Sequence, residues 1–534
     1  MTIVTYPERV ASYLSNKTAG KRLPFSCTLA TLKAGTVISE IMKFASISLK
    51  AGAGVKLIIK SDFELPEPRE LDYVMLAPDL ELAKTDEYDF IPGSNYVTSV
   101  PEGYTSIVVG DSMASISASW LKFERLVSEG TKVCLDLRNI RPMGTVNSDG
   151  LVASGPVSFG FIIDTFADYL KAPSMFTLLR LFGVLNAVIL KGGYKKGIIT
   201  SAIYDTSKYY KEYLNVPLVS LRGSHKKGVI LTREPKGDML ATLCDKVNTE
   251  SLFLQKHQEG DIFANVCQGI YLKDRGTCLI YRLNLGMVDD IWDIIPAMLE
   301  ATKLAIETHV EWRKLHPSQA NNWASVETDN QVAVDVMGFA NLLANNNVTY
   351  EDIDAALKGE ESTPRANYIV DVLRAAYQRS SQMADYLCTK VYDIPCFDRL
   401  HTVEPAQSHS YRCVDINGYT VSRGVWPPFS RRVNRVSNSQ SEEVKTYDFG
   451  DCEVRISPDL HFSVCNGFMA LMRDSGRPHA MSYDTWKDFN PDVFSEWYLS
   501  NLSTLYYNVS KDYQIKYYAR KVIEPITLCS SCTD

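Results

Sequence analysis

The chain has 534 residues, 45% of them hydrophobic, enough for a sizeable core and too many for one ordinary domain unless that domain is a large α/β barrel with insertions. Its 56 Lys and Arg against 63 Asp and Glu leave a net charge of −7, so no basic surplus asks for nucleic acid or an anionic membrane. No run of eighteen apolar residues appears and the first 25 residues lack an apolar signal core, so neither a membrane span nor secretion is expected; twelve cysteines then belong to a reducing cytosol, where thiols act as nucleophiles, ligands or redox couples.

The segment LPFSCTLATL (23–32) places Cys27 in a short apolar run that reads as a strand. Ile38, Ile41, Met42, Ala45 and Leu49 then share one face of a helix, which the run AGAG at 51–54 ends. An acidic, proline-punctuated stretch follows and reads as an insertion over about 60–105. After it come a strand, a helix from about Met113 to Leu126 and a second strand, VCLDL. LVASGPVSF (151–159) and KGGYKKGIITSAI (191–203) carry the small residues and glycines that let backbone approach a ligand.

The middle of the chain, DIFANVCQGIYLKDRGTCLIYRLNLG (261–286), sets Cys267 and Cys278 among β-branched and aromatic residues of buried strand or loop character. Residues 288–317 read as one long amphipathic helix, and Val336–Leu343 as a core strand running into a core helix. AQSHS at 406–410 offers hydroxyls and backbone N–H groups of the kind that hold phosphate at a loop-to-helix junction. Residues 497–522 read as a helix followed by the pair Tyr517–Tyr518. The chain ends LCSSCTD, where Cys529 and Cys532 read as a mobile dithiol that exchanges with a buried disulfide; a metal clip would need two further ligands, and no second Cys-x-x-Cys exists, so no metal site is assigned.

Taken in order, these segments resemble the catalytic subunit of ribonucleotide reductase. The resemblance rests on Asn265, Cys267, Ile270, Leu272, Cys278 and Asn284–Gly286, on the cysteine-helix-AGAG order after Ser26, on ASGPVSF and on Val336–Leu343. It implies a ten-stranded α/β barrel of two five-stranded parallel halves packed antiparallel, with Cys267 on a central finger loop. The expected organisation is an extension over 1–26 without an ATP cone, a barrel over 27–515, and a tail over 516–534 carrying radical-transfer tyrosines and redox cysteines.

The resemblance also implies roles. Cys267 would carry the thiyl radical with Asn265 beside it, Cys27 and Cys278 would supply two electrons, and Cys529 and Cys532 would restore them. Tyr517 and Tyr518 would relay the radical, and Ser26, Ser154, Gly155, Ala406, Gln407, Ser408, His409 and Ser410 would hold substrate. The leading expectation is reduction of a ribonucleoside di- or triphosphate with a separate ferritin-like radical-generating subunit and no cofactor bound directly. Thioredoxin or glutaredoxin would be the reductant, dNTP or ATP the effectors, and the assembly a homodimer in the cytoplasm, of the host if the compact chain is phage-encoded. Two alternatives stand beside it: an adenosylcobalamin enzyme, which the GDS and RNIRPMG elements between 110 and 144 suggest, and a catalytically silent nucleotide-binding homologue.

One position departs from the family. Its glutamate, which handles the proton of the substrate 3′-hydroxyl, falls on Gly269. In an extended segment residues i and i+2 share a face, so that glutamate would look the same way as Cys267. Glu259 and Asp261 are acidic candidates near it in sequence.

Overall fold

The structure, a computed structural model, describes residues 3–5, 8–17, 23–77, 95–146, 153–191, 198–217, 226–403, 420–428, 430–436, 444–454, 456–508 and 526–529. The chain is of mixed α/β class and forms two compact units, Met1–Leu29 with Lys227–Asp534, and Ala30–Lys226.

In the first unit a large sheet runs in the order Val4–Thr5, Ile280–Asn284, Gln331–Met337, Arg399–Val403, Pro478–Thr485, Thr504–Asn508, Phe253–Lys256, Lys227–Leu231. Five consecutive members, from Ile280–Asn284 to Thr504–Asn508, are mutually parallel. Phe253–Lys256 then pairs antiparallel to Thr504–Asn508 and parallel to Lys227–Leu231. An antiparallel seam between two parallel runs is what a two-halved barrel requires. The central strands are buried along their length, QVAVDVM at every position, as parallel strands covered on both faces must be. Two of their charged members are paired: Arg282 Nε donates to Asp335 Oδ2 at 2.8 Å on the neighbouring strand.

Helix Ile294–Leu315 covers Ile280–Asn284 and Gln331–Met337 and packs on helix Pro364–Tyr386. It begins later than the sequence pattern suggests. Asp290 accepts the Trp292 N–H at 3.1 Å and closes a separate 3₁₀ turn, Ile291–Asp293, before the helix starts. A three-stranded sheet, Val444–Asp448, Arg432–Val436 and Ile526–Cys529, also belongs to this unit.

The second unit pairs Gly54–Ile59 parallel to Ile199–Tyr204. Helix Ile38–Lys50 buries Ile38, Ile41, Met42, Ala45 and Leu49, the face read from the sequence. Two strands of the expected insertion, Tyr96–Val97 and Tyr73–Leu76, join Val133–Asp136 and Thr105–Val108 in a small parallel sheet, in that order, and Tyr73, Met75 and Leu76 are buried. Helix Met113–Ser128 packs against that sheet, capped by the Ser112 side chain accepting from Ser115 N–H.

Candidate active site at the loop 265 to 270

Within the first unit, Phe263–Ala264 pairs antiparallel to Tyr271–Leu272, and the six residues between them form a closed loop. The loop is knotted by one side chain. Asn265, fully buried, accepts the N–H of Gly269 at 3.1 Å and of Ile270 at 3.4 Å on its Oδ1, and its own N–H donates to the Ile270 carbonyl at 2.7 Å. Its Nδ2 lies 3.3 Å from the sulfur of Cys278. Gln268 adopts φ +64 inside this turn and returns its Nε2 to the Asn265 carbonyl at 3.2 Å. The segment is therefore not extended, and the alternation that would align residue 269 with Cys267 does not apply. Gly269 spends its N–H on Asn265 and its carbonyl on Thr402.

Three strands of the sheet hold the loop from outside. Ser482 Oγ donates to the Cys267 carbonyl at 2.6 Å. Thr504 Oγ1 lies 3.3 Å from the Gln268 carbonyl and 2.7 Å from that of Met481, and Thr402 Oγ1 lies 2.5 Å from the Gly269 carbonyl and 2.8 Å from that of Ala480. Each threonine has one proton to share between a loop carbonyl and a strand carbonyl. Three successive loop carbonyls thus meet three buried hydroxyls on three neighbouring strands. Below the turn, Gln255 Oε1 accepts from Ala264 N–H at 3.1 Å and His479 Nδ1 from Tyr271 N–H at 3.2 Å. A ring nitrogen that accepts is unprotonated, so His479 carries its proton on Nε2, which donates to the Val332 carbonyl at 2.9 Å. Burial dominates its titration and pushes the pKa down to about 3.

The result is a loop whose members are buried except Cys267, which remains partly exposed. Cys27 and Cys278 are brought together. Cys278 N–H donates to the Cys27 carbonyl at 2.9 Å, Ser26 N–H donates to the Cys278 carbonyl at 3.0 Å, and Thr28 and Thr277 form an antiparallel bridge. Facing residues of an antiparallel pair have Cα atoms about 4.5–5.5 Å apart. That lies inside the range of about 4.4–6.8 Å that a disulfide spans. Both cysteines are buried, and Thr277 is fixed in turn by Asp329, whose Oδ2 accepts its N–H at 2.9 Å and its hydroxyl at 2.6 Å.

Of the other residues singled out from sequence, Ser154 and Gly155 lie in the second unit. The Ser154 hydroxyl donates to the Val188 carbonyl at 2.7 Å, and Gly155 has φ +81 at the start of helix Pro156–Lys171, where a Cβ would meet Met143 Cβ at 2.8 Å. Glu259 and Asp261 are exposed at the root of the hairpin rather than beside Cys267. Cys529 is the last residue of Ile526–Cys529, in register with Val436. Ala406, Gln407, Ser408, His409, Ser410, Tyr517, Tyr518 and Cys532 lie outside the described residues. Thr402, Ser482 and Thr504 were not singled out. Their signal is weak: each is a hydroxyl residue in a strand, RLHTV, PHAMSYDT or TLYYN, that carries other polar side chains as well.

No family model and no curated protein matches the chain. Among solved structures, it is similar to a crystal structure of a B12-dependent (class II) ribonucleotide reductase, with a TM-score of 0.68 and 14% identity, covering 95% of this chain and 81% of that one. The likeness is one of fold.

Proposed function

We propose that this protein reduces ribonucleotides to 2′-deoxyribonucleotides, with Cys267 as the radical-bearing thiol and Cys27 and Cys278 as the electron donors. The observation that carries the reading is the hydrogen bond from Asn265 to Cys278, which ties the loop of the exposed thiol to two buried thiols on facing backbones. The fold likeness supports it. The chemistry balances: the substrate 2′-hydroxyl leaves as water, the ribose carbon gains hydrogen, and two thiols become one disulfide. Cys267 takes a hydrogen atom from the ribose and returns it, so it is unchanged over a cycle. Cys529 and Cys532, re-reduced by thioredoxin or glutaredoxin, would restore the dithiol.

The sequence reading placed a ferritin-like partner first as radical source; we put adenosylcobalamin ahead of it, a choice supported by the B12 dependence named for the structural neighbour. Adenosylcobalamin, when bound, would supply the one-electron oxidant of the Cys267 sulfur. What the chain offers it is a single partly exposed thiol on an otherwise buried loop, which fits that use. The remaining task, moving the substrate 3′-hydroxyl proton, has no carboxylate on this loop. The Gln268 carboxamide keeps its buried Oε1 without a hydrogen-bond partner among the described residues, so it can accept a hydroxyl proton in a hydrogen bond but cannot carry it away.

The test is reduction of a labelled ribonucleotide with dithiothreitol by the chain alone, with adenosylcobalamin, and with a candidate ferritin-like subunit. Product with adenosylcobalamin, lost in Cys267→Ala, is expected. Product only with the partner subunit would return the first sequence expectation, and nucleotide binding without product in any mixture would favour the silent homologue.

A further inference from the structure

We infer that the first unit holds a second small-molecule site, at the root of the hairpin that carries Cys267 and independent of the thiol chemistry. A cavity of about 420 Å³ opens there, within the range of about 300–1,000 Å³ of small-molecule sites. It is lined by Glu259 and Lys273 from the two arms of the hairpin and by Gln331, Asp398, Arg399 and Arg477. Gln331, Arg399 and the lining residue Pro478 begin their strands, whereas the hydroxyls that hold the Cys267 loop come from Thr402 and Ser482, further along two of the same strands. The cavity therefore lies toward the opposite strand ends from the thiol. Ligand chemistry in parallel α/β sheets gathers at the carboxyl ends, so the reaction does not account for polar groups left open at the amino ends.

Several groups are left open. Gln331 is 1% exposed, and its Oε1 is buried with no hydrogen-bond partner among the described residues. An unmet buried acceptor is destabilising and persists where something else meets it. The Lys273 ammonium has no partner among the described residues. Arg399 stacks 4.9 Å over the Tyr271 ring and commits only Nη1, to the Pro478 carbonyl at 3.0 Å and that of His479 at 3.5 Å, leaving its other donors for the cavity. Arg477, by contrast, is neutralised by both oxygens of Asp385 at 2.8 and 3.0 Å. Asp398 accepts from the neutral Asn330 amide, at 3.2 Å, and attracts Arg399 without a hydrogen bond to it among the described residues.

The unpartnered Lys273 ammonium, the spare Arg399 donors, the carboxylates of Asp398 and Glu259 and an open amide carbonyl match a dipolar ligand: an oxyanion for Lys273 and Arg399, with hydroxyl or ammonium donors a few bonds away for Gln331, Asp398 and Glu259. A phosphate or a carboxylate head satisfies the same cations. Because Lys273 and Ile262 belong to the hairpin itself, an occupant also braces the element that ends in Cys267.

The experiment is calorimetric titration of the full chain with glycerol 3-phosphate, glycerate and serine, with inorganic phosphate and glycerol as half-ligand controls. Binding of at least one of the first three tighter than about 1 mM, and tighter than either control, is expected. Lys273→Ala and Gln331→Met should each weaken it at least about tenfold, the loss of one charge-assisted or buried hydrogen bond. Lys273→Ala removes a side chain without a described partner and keeps the fold. Amide exchange over 262–272 should slow when the probe is bound. No probe binding tighter than about 1 mM, or affinity in Lys273→Ala equal to that of the parent, overturns the inference.

Discussion

The amide of Cys278 donates to the carbonyl of Cys27 at 2.9 Å, across segments 251 positions apart (278 − 27). Backbone pairing, rather than side-chain packing alone, therefore sets the separation of the two thiols, and a disulfide between them needs little backbone movement. Mild oxidation of the protein should give one intramolecular Cys27–Cys278 bond, read by mass spectrometry of alkylated peptides. Cys267 should stay alkylatable, since it is the partly exposed thiol. Substitution Cys278→Ser should abolish the bond and limit any multiple turnover. Oxidation that instead joins Cys267 to either partner would remove the assignment of Cys27 and Cys278 as the electron donors.

The three hydroxyls around the loop make a second prediction. Thr402→Val and Thr504→Val conserve shape and remove one shared proton; Ser482→Ala removes the bond to the Cys267 carbonyl. Each should lower stability by roughly 1 kcal/mol, up to about 3 where a carbonyl is left dry. Because all three act on one loop, their effects should not add, and a double substitution should fall short of or exceed the sum by at least about 0.5 kcal/mol. Urea midpoints of the singles and one double decide this, and strict additivity would mean that the hydroxyls do not act as a set.

These hydroxyls mark where the sequence stopped being legible. The face of helix Ile38–Lys50 follows from period 3.6, a local pattern, and the strand-to-helix step read over Val336–Leu343 falls on the end of strand Gln331–Met337 and the start of helix Phe339–Asn345. Residues 265–270 contain no such pattern. They read as extended, yet they close on Asn265, with a glutamine rather than the adjacent glycine in the left-handed conformation. That choice is made by tertiary partners on strands more than a hundred residues away, which periodicity does not register. Likewise the pairing of Cys27 with Cys278 came from family order, not from any local feature of either segment.

Asn265 is engaged at every polar atom described above, which makes it a positioning residue. Asn265→Ala strands the N–H groups of Gly269 and Ile270 and frees Cys278, and should cost about 2–4 kcal/mol and raise the amide exchange of the loop. Asn265→Asp keeps the acceptor and loses the donor toward sulfur, so it should hold the loop closed while lowering turnover. Equal loss of stability in both variants would contradict the division of labour between Oδ1 and Nδ2.

His479 links the site to pH. It is buried and neutral, with its pKa lowered to about 3, mainly by burial, with Arg399 acting in the same direction. Burial lowers His401 to about 3 as well. An unfolded histidine titrates near 6.5. Between about pH 3 and 6.5 the unfolded chain binds protons that the folded chain refuses, so stability rises with pH across that window and is lost as pH falls below 6.5. The interval from pH 6.5 to 5 isolates this effect, since it lies above the usual carboxylate range. His479→Gln can keep an acceptor toward Tyr271 and a donor toward Val332 without titrating. Denaturant stability should therefore fall from pH 6.5 to 5 in the parent and fall less in His479→Gln. The difference in slope should approach about 1.4 kcal/mol per pH unit at the acid end of the window. Parallel slopes in the two proteins would show that His479 is protonated in the folded state, and the hydrogen bond from Tyr271 to Nδ1 could not then exist.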